Sequence, residues 1–218
     1  MRYLNLHTHL DSHREDVLEI VNRYPHETEA LPRHFSIGIH PWYIDQDRLE
    51  AQLATIAVTA AHPDCLAIGE CGLDSRIETP LARQEPVFVR QLELAMLHAK
   101  PVVLHMAGAF DRLIAINREM KPGIPLIVHG FSKSRELALQ LEKEGFYFSF
   151  GKYLLRNPGL REVFTAVPLD RIFLETDTME EKIDDVYALA ASYRGCTVEE
   201  IGESIARNFN TVFGRNLY

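Results

Sequence analysis

The 218-residue chain is short of the features that mark membrane, secreted or repetitive proteins. No apolar stretch approaches the length of a bilayer span, so no membrane partner is expected. The start carries no charged, apolar and small-residue succession of a secretory leader. Its three cysteines, Cys65, Cys71 and Cys196, are odd in number and form no CxxC pair. Cys65 lies in an apolar run and reads as a small buried side chain, not a disulfide partner. A reducing cytoplasm is the expected compartment. Positive charge is also scarce: 23 Lys and Arg face 31 Asp and Glu, for a net charge of −8. That balance disfavours broad adhesion to nucleic acid or anionic lipid. A local metal cluster can still bind phosphate on an acidic protein. Repeats, low-complexity tracts and linkers are missing, so residues 1–218 read as one domain with ample length for a core.

What is present is an alternation. Short apolar runs, expected as strands at 2–6, 17–23, 34–39, 65–69, 101–104, 124–128, 145–150 and 171–175, are separated by helical patterns. Eight such runs fit a closed (β/α)8 TIM barrel of the α/β class. The run 17–23 is too short for periodicity to separate helix from strand. Barrels of this kind usually need ~250 residues, so helices should be reduced in the first quarter, before strands two and three. Between Leu81 and Lys100, Phe88, Leu92, Ala95, Met96 and Ala99 recur at helical spacing. Pro86 predicts a helix that starts near Gln84 or kinks there. Residues 134–144 read as an amphipathic helix closed by Gly145. Thr197 and Glu200 form a capping box before Ile201, Ile205 and Phe209.

Six side chains of metal-ligand type follow the apolar runs: His7, His9, Glu70, His105, His129 and Asp177. Residues i and i+2 of a strand share a face, so His7 and His9 can reach one ion. A lone charge at a buried strand end is costly unless it is paired or metal-bound. The carboxyl ends of barrel strands converge on one functional face. Glu70 is flanked by Gly69 and Gly72, which let backbone come close, and its two oxygens can bridge two ions. Four histidines and two carboxylates suffice for two divalent metals, with Zn, Mn and Mg all open.

The motifs HTHLD (7–11), SIGIHPW (36–42), IGECGLD (68–74), PVVLH (101–105), IVHGFS (127–132), LETDT (174–178) and NFNTVFG (208–214) together resemble the TatD-type metal-dependent deoxyribonucleases. That family belongs to the amidohydrolase superfamily of barrels. The resemblance implies a metal-dependent hydrolase of phosphodiester bonds, acting on a DNA end or a small phosphodiester. It implies that His7, His9, Glu70 and Asp177 hold one ion, that Glu70, His105 and His129 hold the other, and that His40 lies on the phosphate side. Asp177 would take the proton of the attacking water. Three departures bear on the nucleic-acid strand: a short stretch between residues 11 and 34, Met106-Ala107-Gly108 where the family has a Ser/Cys-Arg pair, and Thr178-Met179-Glu180-Glu181-Lys182 where it has a basic loop. Both basic contributions are lost.

Other residues have two readings each. Asp11 and Asp74 orient ligand imidazoles or cap turns. Trp42 and Tyr43 pack a loop or stack on a base. Arg14, Lys133, Lys152 and Arg156 are solvated loop charges or phosphate contacts, with Lys133 taken as a candidate substrate contact. Lys100 begins a strand, at the wrong end for a bridging ligand. The alternatives to a phosphodiesterase are an amidohydrolase or lactonase of a small molecule, and a non-catalytic metal-binding barrel. No obligate protein partner is indicated.

Overall fold

The computed structural model describes residues 3–217. Arg2, the first residue of the expected strand 2–6, lies outside the described residues. In chain order the elements are β1 (Tyr3–Thr8), β2 (Val17–Arg23), β3 (Phe35–Ile37), α1 (Leu49–Thr59), β4 (Cys65–Asp74), α2 (Leu81–Leu97), β5 (Val102–Ala107) and α3 (Phe110–Met120). They continue with β6 (Leu126–Val128), α4 (Arg135–Lys143), β7 (Tyr147–Phe150), α5 (Lys152–Arg156), α6 (Leu160–Ala166), β8 (Ile172–Leu174), α7 (Ile183–Arg194) and α8 (Val198–Phe213). The strands form one eight-stranded sheet in sequence order. A parallel bridge between Thr8 and Asp177 returns the end of β8 to β1. This is the expected (β/α)8 barrel. The run 17–23 is a strand, and among the described residues no helix separates β1, β2 and β3.

The chain divides into two compact units, Met1–Ile20 with Ile127–Tyr218, and Val21–Leu126. The first unit is built on phenylalanine: Phe131, Phe148, Phe150 and Phe164 meet edge to face at centroid separations of 5.0–5.9 Å. Its helix α8 opens on the expected capping box, Thr197 accepting from Glu200 N while Glu200 accepts from Thr197 N. Ile201, Ile205 and Phe209 are all buried. Asn208, on the same helix, donates to the carbonyls of Leu169 (2.9 Å) and Ile172 (2.8 Å), fixing the entry to β8. From α7, the buried Tyr187 hydroxyl donates to Leu4 O and accepts from Leu4 N, both at 3.1 Å.

In the second unit, β4 is longer than expected because it continues through Glu70 to Asp74. Glycine makes that possible: a Cβ on Gly72 would lie 2.1 Å from His105 O, and one on Gly69 would lie 2.4 Å from Val103 O. The register between β4 and β5 slips between Ile68 and Cys71, and such irregularities re-aim side chains beside functional sites. Cys65 and Cys71 are buried in this strand, and burial pushes the Cys65 thiol up to about 11. Helix α2 starts at Leu81, ahead of the expected Gln84, and carries Pro86 inside it. Lys100 donates to Cys65 O at 2.6 Å, well away from any ligand role.

Tyr187→Phe removes one hydroxyl that serves two backbone groups of β1. The buried Leu4 N–H and C=O lose that partner, so we expect a loss of about 1–3 kcal/mol in urea unfolding.

Candidate metal centre

Four of the six expected ligands belong to the first unit, and a backbone lock positions three of them. Asp177 N donates to His7 O (2.9 Å) and His9 N donates to Asp177 O (3.2 Å). Asp177 itself has φ 54°, a left-handed conformation that Asp adopts more readily than most residues. The result brings three donors together: His7 Nε2 and His9 Nε2 stand 3.8 and 3.6 Å from Asp177 Oδ1. These gaps are too long for hydrogen bonds yet shorter than two metal–ligand bonds of ~2.1 Å laid end to end. The donor spacing fits an ion.

His129 is the fourth. Its ring lies 4.4 Å from that of His7, and its Nδ1 is 3.3 Å from Glu175 Oε1. The same Glu175 oxygen accepts Gly130 N at 2.8 Å. A carboxylate on Nδ1 holds the proton there and leaves Nε2 as the ligand atom. Burial pushes the Glu175 carboxyl up, but the neighbouring His129 and His7 imidazoles and the His129 hydrogen bond outweigh it and hold it low. Asn5 reinforces this end of the unit, donating to Thr176 Oγ1 (2.8 Å) and accepting from Thr176 N (2.9 Å). In the sequence Glu175 and Asn5 read as strand interior. Polar residues inside otherwise apolar runs were the available signal.

In the second unit, Glu70 is buried with its N–H donating to Asn22 Oδ1 at 2.7 Å. His105 Nδ1 is 2.9 Å from Glu70 Oε1, and His105 Nε2 is 3.3 Å from Asp74 Oδ2. A neutral imidazole has one ring proton. With it on Nε2, donated to Asp74, the Nδ1 lone pair faces Glu70 and can share an ion with it. His40 is buried, its Nε2 3.2 Å from the same Glu70 oxygen. Since His40 Nδ1 accepts Trp42 N (3.1 Å), its proton sits on Nε2 and is donated to the carboxylate. His40, Glu70 and His105 are close enough to hold an ion. The tautomer makes His40 the donor of that trio and leaves Glu70 and His105 as the pair able to share an ion. Asp74 thus orients an imidazole, and Trp42 Nε1 holds Asp74 at 2.7 Å. His7 and His105 lie inside β1 and β5 and Glu70 inside β4, whereas strand ends were expected. Lys133 sits half-buried in the loop between β6 and α4.

The alternation of strands and helices is that of a known family. The model of the TatD-related DNases matches residues 3–214. The chain belongs to that family. It is 36% identical over 145 residues to the 3'-5' ssDNA/RNA exonuclease TatD of Erwinia billingiae, covering 64% of this chain and 55% of that relative. With the metal-dependent hydrolase YcfH of Escherichia coli K12 it shares 32% over 197 residues, 82% of this chain and 73% of the relative. Among solved structures, the TatD homologue YjjV of E. coli superposes with a TM-score of 0.81 at 22% identity, over 98% of both chains. Membership places the protein among metal-dependent hydrolases. No helix among the described residues is long and apolar enough to cross a membrane.

Burial opposes ionisation of Asp74, but hydrogen bonds from Trp42, Arg76 N–H and His105 prevail and lower its pKa. A carboxyl lowered on folding adds stability above its unfolded value of ~3.9, and that stability is lost as pH falls through the folded value. With chelated protein, the stability gap between wild type and Asp74→Asn should therefore be full at neutral pH and shrink in acid. Urea unfolding over a pH series measures it; a gap constant down to pH ~2 would contradict the assignment.

Proposed function

We propose that the chain is a divalent-metal-dependent phosphodiesterase acting on a DNA end or a small phosphodiester in the cytoplasm, with two ions as its cofactor. The observation that carries the reading is the His7–His9–Asp177 trio, whose donors are spaced for an ion. His7, His9 and Asp177 are assigned to one ion, with His129 offering Nε2 from the same unit, and Glu70 and His105 are assigned to a second. Ions bound there supply Lewis-acid chemistry, acidifying water and neutralising phosphoryl oxygens.

The rest of the work belongs to the chain. Asp177, partly open to solvent, accepts the proton of the attacking water on its carboxylate. Glu175 and Asp74 hold the rings of His129 and His105 in the ligating tautomer. His40 keeps a proton on Nε2 beside Glu70, the donor on the phosphate side of its cluster. Lys133 is assigned to a substrate phosphate. An amidohydrolase bridged by a carboxylated lysine is not favoured: Glu70 occupies the fourth strand, and Lys100 is held by Cys65 O.

Chelation should abolish hydrolysis, and Mn²⁺, Mg²⁺ or Zn²⁺ should restore it. Asp177→Asn should lower kcat on single-stranded DNA by about 10²–10⁴-fold, the usual yield of a positioned acid or base. Full activity and full metal content in that variant would remove Asp177 from the role. A panel of single-stranded DNA, bis-p-nitrophenyl phosphate, hydantoins and lactones assigns the bond that is cut.

A further inference from the structure

The short 3-10 turn Pro41–Tyr43 sets two large aromatic rings beside the second-unit cluster. Trp42 is 57% and Tyr43 48% exposed, although each is held firmly. Trp42 N donates to His40 Nδ1, and Trp42 Nε1 donates to Asp74. Its ring packs edge-on against His40 (5.0 Å, 84°) and His105 (5.9 Å, 71°). Tyr43 N donates to His40 O at 2.9 Å. Tyr43 then meets Tyr24 edge-on at 5.1 Å, and Tyr24 stacks on His26 at 5.6 Å and 8°.

Two adjacent large rings, each about half exposed, leave a contiguous aromatic surface open beside the cluster. The polar edge of the indole is spent on Asp74, so the orientation of the ring is set by the ligand cluster itself. Among the described residues the cations placed over aromatic rings sit on Tyr3, Tyr147, Phe164 and Tyr193, not on Trp42 or Tyr43. What such a surface recognises is a flat ring with a π-face, presented a few ångströms from the metal-binding residues. A nucleobase meets that description, and stacking on aromatic side chains is how single strands are held without sequence preference. It also suits a family member that lacks the basic loop, since stacking needs no charge.

We infer that Trp42 and Tyr43 form a platform on which a base of single-stranded DNA stacks next to the phosphate to be cut. This deepens the phosphodiesterase reading and rests on it for the position of the phosphate.

Trp42 is the sole tryptophan of the chain, so its fluorescence reports on the platform alone. The Mg²⁺-loaded protein is titrated with phosphorothioate oligo(dT), which resists cleavage, and with an abasic phosphorothioate strand of equal length. The platform requires quenching by oligo(dT) at concentrations where the abasic strand has little effect. An equal response to both strands, or none to either, would overturn it. In steady-state assays Trp42→Ala should raise KM for oligo(dT) about tenfold, one stacked base at the modest end of its usual worth, and Tyr43→Ala should act in the same direction. Trp42→Phe retains a stacking face while losing the bond to Asp74, so it should recover most of the KM. If Phe and Ala are equally impaired, Trp42 acts only through Asp74 and the platform is wrong. Base-dependent quenching without any DNA hydrolysis would sink the phosphodiesterase reading and leave the platform standing.

Discussion

The first unit depends on a pair of backbone hydrogen bonds between the ends of β1 and β8. His7 O receives Asp177 N, and Asp177 O receives His9 N. Neither bond involves a reactive atom. Together they fix the backbone of Asp177 against that of His7 and His9, which lie at the other end of the chain. The left-handed φ at Asp177 is tolerated because both of its backbone groups are engaged. Side-chain geometry follows: the carboxylate is set between two imidazoles at distances an ion can span.

Each unit uses the same device to prepare its histidines. A buried carboxylate takes one ring nitrogen and leaves the other for a ligand, Glu175 on His129 and Asp74 on His105. Burying a carboxylate is costly, and the cost is offset only when hydrogen bonds replace water. Gly130 N meets Glu175, and Arg76 N with Trp42 Nε1 meet Asp74. Both carboxyls accordingly titrate below their ordinary range despite burial.

Much of this was legible in residue patterns. Apolar runs, capping signals and turn glycines located the strands and the main helices, because burial and backbone geometry constrain residue type locally. Even the ambiguous run 17–23 resolved as a strand once neighbours were present for it to pair with. The clustered histidines and carboxylates stood out for the same reason: charged groups after apolar runs are rare without a use. What escaped was tertiary. Glu175 reads as one more strand residue until His129 is seen beside it. Asn22 gives no hint of its bond to Glu70 N until β2 and β4 are brought into one sheet. The extension of β4 to Asp74 depended on how closely Gly72 lets His105 O approach, which no single-strand pattern contains.

The acidic segment after Asp177 has a consequence for how a polyanion would be held. Arg156, at the end of α5, is gripped by both oxygens of Glu181 and lines an open cavity of about 540 Å³ with Lys152, Thr178, Met179 and Glu180. A guanidinium already neutralised within its own unit displaces few counterions when a phosphate arrives. The share of strand affinity that Arg156 supplies would then change little with ionic strength, unlike that of a free lysine or arginine.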